Sequence, residues 1–290
     1  MNTEIHKIKN DLAEVEIYGS AMKSLKIFKD SREYNVLGFD EQKHAFSFIM
    51  APWVNRIKDG KFSCAKGDFD LSSSNPFGIP HPIHGTVLTA NWKVIHKSSH
   101  SISISTDLRS PWPYSGSVLS KVSLNDNSIK QELIIKNEDE HIMPFSMGWH
   151  PWFNRKIGSD ELSLIFNGNY LWKANGQIPN SEKIRPPLLD QAARGFSPKP
   201  GTLDDCYRIT DNSSVSLCWP ELTLEMNSSQ ECGHLVVYTP PEPLANLICV
   251  EPQTSAVNCF QLHEKSVSDT GILFVEPDHD YSIFTEWFWV

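Results

Sequence analysis

Basic residues are in short supply: 26 lysines and arginines against 35 aspartates and glutamates leave a formal net charge of −9. Binding to polyanions needs a basic patch that displaces counterions, so nucleic acid and anionic membrane surfaces are poor partners for this chain. Long apolar runs are also missing. No stretch approaches the roughly 18 apolar residues of a membrane-spanning helix, and the start, MNTEIHKIKNDLAEVEIYG, mixes charges of both signs without the apolar core of a signal peptide. The expectation is a soluble, cytoplasmic protein. The six cysteines are dispersed without a CxxC pair, which excludes a secreted disulfide scaffold and reads as reduced thiols. Cys218 and Cys249 fall inside apolar runs, where a thiol behaves as a small hydrophobe. No Gly/Ser linker, charge block or internal repeat divides the chain, so residues 1–290 read as one domain. Helical signals are thin as well: 19 prolines interrupt the sequence, and only residues 188–194, after Pro186-Pro187, look like about two helical turns. That argues against a doubly wound α/β fold.

What the chain does have is alternation with period two. It is clearest in 101–105 (SISIS), 215–219 (VSLCW) and 222–226 (LTLEM), the pattern of half-buried strands. Further strand candidates are 46–50, 130–136, 162–166, 235–238, 247–250, 272–275 and 281–287, most of them bounded by Gly, Pro, Asn, Asp or Ser. So many short strands predict an all-β fold, a large antiparallel β-sandwich of two facing sheets. Nine tryptophans are also present. Most such rings belong to a core, where burying them is favourable, but an aromatic wall also suits the C–H faces of a sugar.

Five places put ionisable or polar side chains beside turn formers: Asn55-Arg56; His81-Pro82-Ile83-His84-Gly85; Gly148-Trp149-His150-Pro151-Trp152-Phe153; Asp204-Asp205-Cys206-Tyr207; and Cys249-Val250-Glu251-Pro252-Gln253. Each has an ordinary explanation by itself. A lone histidine is more often a surface or satisfied core residue than a catalyst. Glu251, after an apolar run and before a proline, could mark a strand leaving the core. Asp204 and Asp205 could cap a turn, and Arg56 could pair with a surface carboxylate.

Taken in order over about 200 residues, these stretches resemble the aldose 1-epimerase (galactose mutarotase) family. The match runs through Asn55-Arg56-Ile57 with Gly60 and Phe62, His84-Gly85 with Trp92-Lys93-Val94, Gly148 to Phe153, Asp204 with Tyr207 three positions on, and Val237-Tyr238 leading to Glu251-Pro252. The resemblance implies a galactose mutarotase-like supersandwich that interconverts the α and β anomers of a small sugar. It implies Glu251 as the general base on the anomeric hydroxyl and His150 as the general acid on the ring oxygen. His84, Arg56 and its neighbour Asn55 would hold the sugar, with Asp204, or the adjacent Asp205, accepting hydrogen bonds from its hydroxyls.

Ring opening and reclosure exchange protons in both directions, which a carboxylate and a histidine can do without a metal or an organic cofactor. Two departures bear on which sugar is taken. Thr86-Val87-Leu88 follows His84-Gly85 where the family commonly has a second Gly and a Gly-aromatic pair, and Trp152 stands where a tyrosine is usual. Three other readings stay open. A hexose-6-phosphate 1-epimerase would need cations for the phosphate, and beyond Arg56 these would have to be Lys58, Arg109, Arg155 or Arg185. A non-catalytic sugar sensor would keep the fold and pocket without turnover. A zinc hydrolase would use His81, His84, His150 and Glu251.

Overall fold

The computed structural model describes residues 4–42, 45–75, 77–210 and 214–290. Two large antiparallel sheets dominate it. The first has twelve strands, with the central order Ala21–Lys29, Ser47–Met50, Gly148–His150, Leu247–Gln253, His234–Tyr238 and Asp204–Ile209; Trp152–Asn154 also pairs with Leu247–Gln253. The second has eight, built around Asp280–Trp289, Ser128–Asn137 and Gly116–Leu124. The all-β sandwich expected from the alternating pattern is therefore what forms.

The period-two pattern explains how the sheets meet. Gly116–Leu124 alternates buried and half-buried residues along its whole length, turning Val118 and Val122 inward with Leu133, Ile135, Ile283 and Trp287 from its neighbours. From the first sheet Ile49, Trp149, Phe153, Leu235, Val237, Ile248 and Val250 join the same cluster. Phe153 meets Trp287 across the gap with ring centroids 5.4 Å apart.

In the first sheet the residues between those core positions point the other way, and they are buried too. Phe48 and Met50 form one small cluster with Val54; Trp152, Leu247 and Cys249 form a second with Ala45; Val236 and Cys206 form a third with Trp172, Ala256, Val257 and Leu262. Loops cover this outer face and bury it. Hence all seven residues of Leu247–Gln253 are buried. This corrects the reading of Glu251 as the end of a strand leaving the core: the strand runs two residues further, and Glu251 faces outward under the loops.

The helix expected at 188–194 forms over Leu188–Ala192, and a second short helix, Cys259–Glu264, was not foreseen. The N-terminal strands His6–Lys9, Ala13–Tyr18 and Ala21–Lys29 were not foreseen either. No helix among the described residues is long and apolar enough to cross a membrane.

Candidate active site

Strand register assembles the centre of the site. Gly148 pairs with Gln253 and Trp152 with Cys249, so His150, midway between them, lies across from Glu251. His150 also pairs with Phe48 on its other side, and Glu251 with Val236. Residues directly opposite in antiparallel strands share a face. The outer face of the sheet therefore carries one row, Phe48, His150, Glu251 and Val236. Beside it runs a second row, Trp152, Cys249, Tyr238 and Asp204, set by the pairs Tyr238–Cys249 and Asp204–Tyr238. Gly148 is needed for this approach: a Cβ there would lie 2.6 Å from that of Gln253.

Over these rows lies a cavity of about 370 Å³, lined among others by Asn55, Arg56, His84, His150, Asp204 and Glu251. All six residues expected at the site from the sequence are thus brought together. His150 and Glu251 are nearly fully buried, and Nε2 of the imidazole is 3.3 Å from Oε1 of the carboxyl. Nδ1 of His150, Oε2 of Glu251 and Nε of Arg56 are buried without hydrogen-bond partners among the described residues. Such groups are costly unless a ligand or solvent meets them, so they mark the polar lining of a binding site.

Two loops deliver the remaining side chains. Asn55 and His84 both adopt left-handed backbone, with φ of 49° and 64°, a conformation that costs energy for non-glycine residues and gathers at functional sites. The loops are zipped together by His84 N–H donating to the Asn55 carbonyl at 3.0 Å and Ile57 N–H to the Pro82 carbonyl at 3.1 Å. Arg56 Nη1 donates to Asn55 Oδ1 at 3.0 Å, which fixes one edge of the guanidinium. Nδ1 of His84 touches the Met50 thioether at 2.9 Å. Since a thioether has no proton to give, Nδ1 is the protonated nitrogen and Nε2 is left as an acceptor.

Burial sets the protonation states. It pushes Glu251 well above the usual carboxylate range, Asp204 adds to that, and Arg56 opposes it. Burial holds His150 down to about 3, with the Arg56 charge acting in the same direction. His84 is held well below its ordinary value by burial, then by His150 and Arg56. At neutral pH the two histidines are uncharged.

A profile of the aldose 1-epimerase family matches residues 4–271. The chain belongs to the aldose 1-epimerase family. It is 25% identical over 109 residues to the uncharacterized protein YphB of Escherichia coli K12, a stretch covering 38% of this chain and 37% of that relative's length. A galactose mutarotase-like protein from Clostridium acetobutylicum shares the fold with a TM-score of 0.82 at 17% identity, over 98% of this chain and 94% of the other. The galactose 1-epimerase of Lactobacillus acidophilus superposes with a TM-score of 0.71 at 14% identity, over 98% and 93% of the two chains.

Family membership did not fix which aspartate faces the cleft, but the backbone does. Asp204 lines the cavity and takes a contact of 3.4 Å from Nε2 of Gln177, whereas Asp205 accepts from the hydroxyl of core Tyr207 at 2.9 Å. None of the four extra cations considered for a phosphate lines the cavity. Arg109 donates to Thr89 and Thr86, Arg155 pairs with Glu161, and Arg185 pairs with Asp190. The backbone N–H of Lys58 is tied to Asn258. The zinc set of His81, His84, His150 and Glu251 is not assembled: His81 accepts from Asp59 N–H at 3.1 Å and lies outside the cavity lining.

The donor atoms that do cluster, within 4.8 Å of one another, belong to His150, Cys249 and Glu251. Burial pushes the Cys249 thiol well above its usual range and so keeps it protonated, which suits packing better than metal ligation. Sequence reasoning missed the other wall residues, Phe48, Tyr238, Leu244 and Gln177. Only the pairing of the strands brings Phe48 and Tyr238 beside His150 and Glu251.

Proposed function

We propose that this protein is an aldose 1-epimerase that interconverts the α and β anomers of an uncharged aldose, with His150 and Glu251 as the proton-transfer pair. The observation that carries the reading is the 3.3 Å contact between these two side chains at the floor of a sugar-sized cavity. Opening a cyclic hemiacetal removes the proton from the anomeric hydroxyl and delivers one to the ring oxygen. Both oxygens are bonded to the same carbon, so an acceptor and a donor set this close can reach the two together.

The pair needs only one proton. With Glu251 ionised and His150 protonated, the carboxylate takes the hydroxyl proton while the imidazolium protonates the ring oxygen. The aldehyde forms as the C1–O5 bond breaks, and the pair is left uncharged. Rotation about C1–C2 turns the other aldehyde face to the ring-oxygen hydroxyl. Reclosure runs the transfers backwards, His150 taking the proton from that hydroxyl and Glu251 returning one to the new anomeric oxygen. Burial favours the uncharged arrangement and the close contact favours the charged one. His84 through Nε2, Arg56 and Asp204 hold hydroxyls around the reacting carbon.

An uncharged substrate is favoured by the charges around the cavity. Two carboxyl groups, Asp204 and Glu251, stand against one guanidinium, Arg56, and no second cation lines the wall among the described residues to receive a phosphate. The test is anomer exchange measured by saturation-transfer NMR with glucose, galactose, arabinose, xylose and glucose 6-phosphate. At least one free sugar should exchange faster with the protein than without it, and glucose 6-phosphate at least about tenfold less efficiently than the best free sugar. Exchange confined to glucose 6-phosphate would contradict the assignment of substrate.

A further inference from the structure

The imidazole of His150 is held in an unusual way. A catalytic histidine is ordinarily oriented by a hydrogen bond at the nitrogen that does not do the chemistry, a carboxylate or carbonyl on Nδ1 fixing both tautomer and ring angle. Here Nδ1 is buried and no other described residue hydrogen-bonds to it, the one backbone group acting on the ring being that of His150 itself. What surrounds the ring is aromatic. Phe48, its cross-strand neighbour, lies with its centroid 4.6 Å away at an interplanar angle of 23°, and Trp152, two residues along, lies 5.6 Å away at 18°. The ring of His84 closes a third side, edge-on at 4.8 Å and 88°.

Phe48 and Trp152 are themselves fixed. Phe48 is 5% exposed and Trp152 7%, and Trp152 N–H donates to Ser47 Oγ at 3.0 Å through its backbone. Tyr238 meets the Trp152 indole edge-on at 6.0 Å. Neither flanking ring can swing away without opening the clusters beneath the loops.

We propose that Phe48 and Trp152 are positioning residues for His150: their nearly parallel rings, in place of a hydrogen bond at Nδ1, keep Nε2 turned to Glu251 and the cavity. As to turnover, this rests on the reading of His150 and Glu251 as the proton-transfer pair. The arrangement has a chemical advantage over a carboxylate at Nδ1. A carboxylate would hold the proton on the imidazole and favour its charged form strongly. Aromatic faces stabilise a passing imidazolium only modestly and leave the uncharged state accessible, as a two-way proton exchange needs. It also gives the Trp at position 152 a task beyond forming a wall for the sugar.

The test uses the full chain carrying Trp152→Leu, Trp152→Phe or Phe48→Leu, with ¹⁵N-labelled histidine. In the wild type, ¹⁵N shifts should show the neutral ring of His150 as one dominant tautomer. Trp152→Leu and Phe48→Leu should mix the tautomers and lower kcat about 10- to 100-fold with KM changed far less. Trp152→Phe, which keeps a flat ring, should recover most of both.

The proposal is overturned if both leucine variants keep a single tautomer, or if they raise KM alone, since the rings would then be only a surface for the sugar. Phe48→Leu gives the same readouts should Trp152→Leu not fold. If the wild type accelerates no anomer exchange, the functional reading fails, and the tautomer populations by themselves still decide whether the rings orient His150.

Discussion

At the scale of single residues, the feature that most needs explaining is the number of buried histidines. His84, His150 and His234 are all enclosed. Burial holds His150 to about 3 and His234 to about 4, and His84 well below its ordinary value. His234 is a useful control, because it does not line the cavity and its Nδ1 lies 3.0 Å from the Thr254 carbonyl.

In the unfolded chain all three would titrate near 6.5. As pH falls below that value the unfolded state takes up protons that the folded state refuses, so stability drops with acid. Each histidine contributes up to about 1.4 kcal/mol per pH unit across its window. Glu251 and Asp205, whose values are raised, work in the opposite direction, since the folded state then holds the extra protons. Three groups outweigh two, and the expected outcome is a Tm that falls steadily from pH 6.5 to 5, above the range where exposed carboxylates begin to titrate. His234→Gln should make that slope shallower. A Tm that does not change over this interval would contradict the account.

At the scale of elements, the site depends on short strands and two strained loops. Pro151 lacks an N–H for the ladder, and it separates Gly148–His150 from Trp152–Asn154. Both pieces still pair with Leu247–Gln253, which keeps His150 in line with Glu251. Gly85 ties the His84 loop to the sheet: its φ is 78°, it bridges to Ala51, and a Cβ there would come within 1.8 Å of the Ala51 carbonyl oxygen. Backbone cannot yield as a flexible side chain can. Gly85→Ala should therefore destabilise the protein by on the order of 2–4 kcal/mol, visible as a Tm lower by several degrees in thermal unfolding. An unchanged Tm would show that the loop is not locked as described.

Much of this scale was legible in the sequence. The strands at 101–105, 215–219 and 222–226 alternate apolar and polar residues because one face is wet; the first lies within Ser101–Asp107, and the other two overlap Val215–Cys218 and Thr223–Ser228 to within one residue. Glu251 could be picked out by its neighbours, but its strand was cut short at residue 250. A carboxylate buried under loops on the outer face breaks the rule that polar residues end apolar runs. Of the N-terminal strands, 6–9 carries a single aliphatic residue and gives little signal, whereas 13–18 alternates cleanly as AEVEIY and was legible.

At the scale of the whole molecule, the architecture separates stability from chemistry. The inner face of the twelve-stranded sheet meets the eight-stranded sheet in one large cluster. The outer face is roofed by loops carrying Asn55, Arg56 and His84 over His150 and Glu251. A rigid floor fixes His150 and Glu251 through strand register; of the two departures from the family, Thr86-Val87-Leu88 falls in a loop and Trp152 in a strand of that floor. The site residues were readable in advance because their order along the chain resembled a known family. The aromatic setting of His150 was not, because Phe48 and Trp152 lie about 100 residues apart and only sheet pairing makes them neighbours.

The most direct measurement is anomer exchange by saturation-transfer NMR on the best free sugar with wild type and Glu251→Gln, Tm being recorded on the same samples. Glutamine keeps the shape of the side chain but cannot take the hydroxyl proton, so kcat should fall by at least about 10³-fold while Tm stays close to wild type. Turnover near that of the wild type in a folded Glu251→Gln protein would contradict the role assigned to the pair.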